Sequence, residues 1–386
     1  MKINTSTERH HYLDWLRVIG VLIVFCFHTS MIFVSWNWHI NNSESSFIMD
    51  TFVRFVHLWI MPMFFVLAGA SAIYSLRKRT SGEYISERFK RLLIPIIGGV
   101  LFLIPPQIYL ERFSTAEFSG SYLQFYPHFF EGLYPNGNFT LNHLWFVLYL
   151  FLISVISLPL FKKGISFPGM SSAKPWIVIF PLIAIVAVET SLRYIWPIYL
   201  YPADILIFLI YFMCGYYIAS NSSVSAAIKK YSLLAFLIGL VMFSVITVFY
   251  YQNMIPSPES SWGYVAFQLF WSMTGWFWVV AIMGLGLKKL NRPSTALSRI
   301  NEAVLPFYII HQTVILVMAY YIVQWEMSLA MKFLFILISA LLITVMLYHL
   351  IRLFNVTRVM FGLKRKANKT LEIERVPQNA FWASDN

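Results

Sequence analysis

The chain has 386 residues, of which 59% are hydrophobic and 12% charged, with a mean hydropathy of +0.66 and a formal net charge of +12. An ordinary soluble domain carries about 25% charged residues, so the composition excludes that class and indicates an integral membrane protein. The positive charge does not indicate a nucleic-acid partner. The basic residues sit between apolar runs, as bilayer topology requires, and form no stripe along which a duplex could bind.

Ten apolar spans are expected, near 13–36, 51–76, 92–110, 143–161, 176–192, 202–219, 232–251, 262–287, 303–323 and 329–352. Each is close to the roughly 20 residues needed to cross hydrocarbon. The expected fold is therefore an all-α polytopic membrane helix bundle of about ten transmembrane helices. Residues 1–355 form one transmembrane domain and 356–386 a basic polar tail. The first span is too long for a signal-peptide core and no small-residue cleavage site follows it, so it reads as a retained helix. Of the 29 Lys and Arg residues, all but Arg54, Arg112, Arg193 and Lys332 fall on the side of the two termini. Positive charge accumulates on the cytoplasmic side, which places both termini in the cytoplasm. The tail, with KRKANK at 364–369, suits contact with anionic membrane lipid.

The longest loop on the other side, 111–142, is rich in aromatics. It suits either stacking on sugar rings or lying at the bilayer interface, where Tyr and Trp gather. Cys26 and Cys214 both lie inside apolar spans, so no disulfide framework organises the chain. Metal-ligand spacings such as CxxC or HExxH are absent from the sequence, and no metal is expected. Pro62, Pro95, Pro105, Pro106 and Pro306 interrupt apolar spans and can free carbonyls to shape a cavity.

The first span, LDWLRVIGVLIVFCFH at 13–28, carries unusual polar residues. Arg17 and His28 lie about three helical turns apart, hence on one face and separated by about 16 Å along the axis. Asp14 can pair with Arg17 from the same face. An interfacial ion pair accounts for these two as readily as a function does. His28, near the membrane midplane, is the stronger candidate, because ionisable groups at that depth are costly. Neutral imidazole can take a proton from a hydroxyl, so His28 is a candidate general base. Its alternative is an interhelical hydrogen bond.

SERFKRLLIP at 86–95 places Arg88 and Arg91 on one face if that turn is helical. Two guanidinium forks suit phosphate, although charge placement alone also explains them. A ligand with a phosphate-bearing head at Arg88, Arg91 and Arg17 and a thin arm reaching His28 has the shape of an acyl-CoA. Of the remaining histidines, His57 and His143 can line an acceptor side. Their alternatives are packing beside Trp59 and, for His143, a helix start capped by Asn142. His311, beside Gln312, faces either a cavity or a neighbouring helix. Glu189 and Asp204 flank an outer loop and read as solvated, although Asp204 begins a helix and suits its N-terminal dipole; His39 and His128 stay unassigned as interface or loop residues.

Several stretches resemble the integral-membrane acyltransferase 3 family. Arg17 and His28 are similar to its first-helix Arg-x10-His signature, and Arg88-Phe-Lys-Arg91 to its Arg-x-x-Arg motif. HLWIMPMFFVLAG at 57–69 resembles its second helix, and NHLWFVLYLF at 142–151, with His143 and Trp145, its His-Leu-Trp-Phe segment. The resemblance covers most of 9–355. It implies transfer of an acyl group, acetyl or succinyl, from cytoplasmic acyl-CoA to a hydroxyl of an extracytoplasmic glycan or glycolipid. It also implies His28 as base and Arg17, Arg88 and Arg91 as acyl-donor ligands; Asp14, His57, His143, Trp145 and His311 are expected in supporting roles from their positions. It implies no permanently bound cofactor, acyl-CoA being a co-substrate, and a location in the inner membrane of a bacterium. Within the family, RHHYLDWLRVIG, FHTSMIFVSWNWHIN and FVRFVHLWIMPMFFVLAGASA are most similar to the branch that succinylates periplasmic glucans. The alternative function is a transporter or flippase for a lipid-linked or anionic substrate, against which the lack of an internal repeat weighs.

Overall fold

The computed structural model describes residues 10–162, 173–192, 202–257 and 262–366. Arg193 and most of the expected tail lie outside them. The first half contains α1 (His11–Ser30), α2 (Phe47–Leu76), α3 (Ser81–Arg88), α4 (Ile94–Phe102), α5 (Ile104–Ser114), α6 (Tyr122–His128), α7 (Trp145–Ile156) and α8 (Leu158–Lys162). Then follow α9 (Trp176–Leu192), α10 (Pro202–Ser220), α11 (Ser222–Tyr251), α12 (Trp262–Lys289), α13 (Thr295–Ile322), α14 (Leu329–Ile351) and α15 (Asn355–Met360). Among the described residues there is no β-strand, only an isolated bridge between Leu133 and Phe139.

Among the described residues, eight helical stretches are long and apolar enough to cross a membrane, and α9 and Asp204–Ser220 of α10 are shorter apolar helices. Together these fall on the ten expected spans, and the chain is an all-α multi-pass membrane protein. The third span is longer than expected, Ser81–Ser114. It opens with a Thr80–Glu83 capping box, passes through a π turn over Phe89–Leu93, and breaks at Leu103, ahead of Pro105 and Pro106. Proline removes a backbone donor and clashes with the preceding turn, so the helix restarts there. Ser46 and Ser294 cap α2 and α13 through Met49 N–H and Leu297 N–H.

Helix α1 packs against α2, α12, α13 and α14, and α2 packs along α10. The α2–α10 contact is backbone on backbone. A Cβ on Gly69 would stand 1.8 Å from the Phe212 carbonyl oxygen, and one on Gly215 1.9 Å from that of Val66. Small residues allow such close approach where burial in lipid supplies no hydrophobic drive. Helices α11 and α14 leave Leu233, Leu237, Val241, Leu334, Ile338 and Leu342 exposed, a face that hydrocarbon would cover.

The described exceptions to the charge asymmetry are each tied down. Arg54 lies between the rings of Trp36 and Tyr250, at 4.3 and 3.7 Å. Arg112 donates to Asn138, Glu117 and the carbonyls of Pro135 and Gly137, holding the long loop together. Buried Lys332 donates to Asn42 at 3.0 Å and to the Val323 carbonyl at 2.8 Å. In that loop Phe125 and Phe129 are fully buried, so part of its aromatic content forms a small core rather than a stacking surface.

Candidate active site

Three histidines meet where α1, α13 and the turn before α7 converge. The ring centroids of His28 and His311 are 4.9 Å apart, those of His143 and His311 5.5 Å, and those of His28 and His143 6.4 Å. Their protons follow from their partners. His311 Nδ1 lies 2.6 Å from the Tyr308 carbonyl, which only accepts, so Nδ1 carries the hydrogen. The Nε2 of neutral His311 is then an acceptor. It lies 2.8 Å from His28 Nδ1, which therefore donates. This fixes the His28 tautomer and leaves the lone pair on Nε2. His28 keeps some accessible surface, with Trp38 stacked on it at 6.1 Å, whereas His311 is 1% exposed. The interhelical hydrogen bond expected as one reading of His28 is thus formed, and the residue is only partly buried.

His143 donates from Nε2 to the Ile309 carbonyl at 3.0 Å, which leaves a buried lone pair on Nδ1 without a protein partner. The expected cap is not formed. Asn142 adopts a left-handed φ of 43°, which Asn tolerates better than most residues. Its side chain links three elements instead. The amide donates to His39 Nε2 at 2.9 Å and to Gln107 at 2.8 Å, and its oxygen accepts from Gln312 at 3.0 Å.

His39, unassigned from sequence, is buried. It is 7% exposed and donates from Nδ1 to Glu111. Glu111 also accepts from the Tyr134 hydroxyl at 3.0 Å. Burial, then the Glu111 carboxylate, push the Tyr134 phenol up to about 12, so it remains a donor across the neutral range. This buried network was missed from sequence. The signal for it was Gln107 and Glu111, two polar residues one helical turn apart on the apolar span containing α5.

At the other end of α1, Arg17 donates to Asp14 at 2.8 Å, Asn301 at 3.1 Å and Ser71 at 2.8 Å. Asn301 in turn donates to Asp14 at 3.1 Å. The pair is therefore structural in part, joining α1, α2 and α13. Three of five guanidinium donors are used in these bonds. Arg88 and Arg91 lie within electrostatic reach of Arg17. They are not on one regular α-helical face, because the π turn separates them; such turns are frequent at functional sites. The Arg88 guanidinium sits over the Tyr84 ring at 4.9 Å, and Arg91 reaches Glu87 at 3.7 Å. Between Arg17 and His28, Val21 and Val24 on the same stripe are buried, so the path between them is closed by side chains.

His57 and Trp145 stand apart from the three-histidine cluster. They line a cavity of about 280 Å³ between α2, α7, α9, α10 and α12. Glu189 and Asp204 face it too. They are 2% and 4% exposed, not solvated.

The family model described as an acyltransferase domain matches residues 10–349. The chain belongs to the acyltransferase 3 family. That family is one of acyl-transferring enzymes. The chain is similar to glucans biosynthesis protein C of Escherichia coli K12, at 27% identity over 160 residues, 40% of each chain. The first curated relatives are thus matched over less than half their length. It is also similar to the protein of that name from Salmonella typhimurium LT2, at 23% identity over 334 residues, 81% of this chain and 84% of that one. No solved structure matches it.

Proposed function

We propose that this protein transfers an acyl group, acetyl or succinyl, from acyl-CoA to a hydroxyl of a glucan at the far side of a bacterial inner membrane. The single observation that carries the reading is the hydrogen-bonded run from the Tyr308 carbonyl through His311 to His28, which leaves the lone pair on His28 Nε2. The acceptor hydroxyl gives its proton to that nitrogen as its oxygen attacks the thioester carbonyl. The carbon–sulfur bond then breaks, and the departing thiolate recovers the proton from the imidazolium. His311 Nε2 accepts from His28 Nδ1–H throughout and stabilises the transient positive charge.

Arg88 and Arg91, with the unused donors of Arg17, bind the phosphates of the donor at the basic end, which charge asymmetry assigns to the cytoplasm. The acyl arm then spans about 16 Å to His28. Because Val21 and Val24 fill that stripe, donor binding requires the helices around it to part. The names of the relatives support a glucan acceptor.

The test is transfer from radiolabelled acyl-CoA to glucan oligomers by the purified protein in nanodiscs. His28→Ala is expected to slow ester formation by about 10²–10⁴-fold, the usual contribution of a positioned base. Ester formation by His28→Ala at the wild-type rate overturns the assignment. Glucan movement across the membrane with no ester formed overturns the reaction itself.

A further inference from the structure

The cavity that holds His57 and Trp145 has no role in the chemistry above. Its lining combines aromatic faces, Trp145 and Trp271, with polar groups, Glu189, Asp204, Gln268 and His57. Ser272 donates to Glu189 at 2.7 Å, and Gln268 donates to Tyr264 at 2.8 Å. Two carboxylates buried to this degree inside a membrane-embedded bundle are costly, and such residues mark ligand pathways.

The composition of the walls selects the ligand. A lipid tail gains nothing from carboxylates. Phosphates or a succinyl group would be repelled by them. A neutral polyhydroxylated ring satisfies every wall: its C–H faces lie on the indoles, its hydroxyls donate to carboxylates that can only accept, and its oxygens accept from donors on the polar side. The volume of about 280 Å³ lies just under the range of roughly 300–1,000 Å³ that drug-sized ligands occupy, which suits about one ring.

The position is also telling. The His57 ring lies over that of Phe27 at 6.4 Å, and Phe27 directly precedes His28. Trp145 follows His143 by two residues. One layer of side chains therefore separates the cavity from the histidine cluster.

We propose that this cavity is the subsite for a sugar ring of the acceptor, with Trp145 and Trp271 as stacking faces and Glu189 and Asp204 as hydroxyl-binding carboxylates. The proposal rests on the acyl-transfer reading and adds the place where the acceptor is held. It is tested on the intact protein in nanodiscs with a linear gluco-oligosaccharide as probe. Calorimetric binding and steady-state transfer are measured for wild type, Asp204→Asn, Glu189→Gln and Trp271→Leu. Each variant is expected to weaken oligosaccharide binding and raise the acceptor KM by at least about tenfold, the loss of one hydrogen bond to a charged group or of one stacking face. The donor KM is expected to stay near wild type. Unchanged oligosaccharide affinity in all three variants, or a rise in the acyl-CoA KM instead, overturns the subsite. A fall in kcat alone assigns the cavity to packing and overturns it equally. If the wild type makes ester while the variants keep their acceptor affinity, only the subsite falls. If the wild type forms no ester with any glucan, the functional reading falls.

Discussion

Replacing His311 with alanine isolates the feature on which the mechanism depends. The substitution removes the acceptor 2.8 Å from His28 Nδ1 and the donor 2.6 Å from the Tyr308 carbonyl. In the ground state the neutral bond from His28 Nδ1–H is lost, at about 0.5–1.5 kcal/mol. As His28 takes the proton, its imidazolium loses a hydrogen bond worth about 1.5–3 kcal/mol. Only the difference, about 1–1.5 kcal/mol, enters kcat, and at about 1.4 kcal/mol per tenfold kcat should fall by roughly 5- to 12-fold. The acyl-CoA KM should move little, because His311 lies at the far end of the stripe from Arg88. The assay is release of the CoA thiol by protein in nanodiscs, with melting followed in parallel to separate catalysis from folding. A double-mutant cycle sharpens the result. If His311 acts only through His28, His28→Ala and the double variant should be equally slow. A double variant at least about tenfold slower than His28→Ala, or a folded His311→Ala with wild-type kcat, would falsify the positioning role.

Arg88→Ala and Arg91→Ala should each raise the acyl-CoA KM by about tenfold or more, as expected for losing a charge-assisted contact to phosphate. Radioligand binding of the donor reads this directly, and unchanged donor affinity in both would remove the phosphate assignment. Gly69→Ala places a methyl on the Phe212 carbonyl, at 1.8 Å, where no side chain can move aside. It should destabilise the bundle by at least about 1–3 kcal/mol, whereas Gly82→Ala, which meets nothing within 4 Å, should be neutral or stabilising. Thermal melts in detergent compare the two, and equal melts would contradict the tight α2–α10 contact. Because folding raises the Tyr134 pKa from 10.0 to about 12, the unfolded chain loses this proton first and stability falls between those pH values. A difference titration against Tyr134→Phe should show a phenol ionising near 12, and one ionising near 10 would deny the contact with Glu111.

Hydropathy and charge placement alone were enough for the membrane class, the positions of the spans and the stripe from Arg17 to His28. Lipid imposes these locally: each span must be apolar for about 20 residues, and helical periodicity places residues eleven apart on one face. The motifs with Arg88, Arg91, His143 and Trp145 were legible for the same reason, being short and local. Which polar residues meet was not legible. His28 finds His311 across 283 positions of sequence, Asn142 joins His39, Gln107 and Gln312 instead of capping a helix, and Arg17 finds Asn301 and Ser71. Glu189 and Asp204 appeared solvated because their position beside a loop says nothing of the helices that enclose them. The π turn at Phe89–Leu93 likewise gave no sign in its composition. Buried polar groups must find partners, but the sequence fixes only which groups need them. Packing of α1, α2, α5, α13 and the turn before α7 decided which partners they found, and so joined a lone membrane histidine to His311 and the Tyr308 carbonyl.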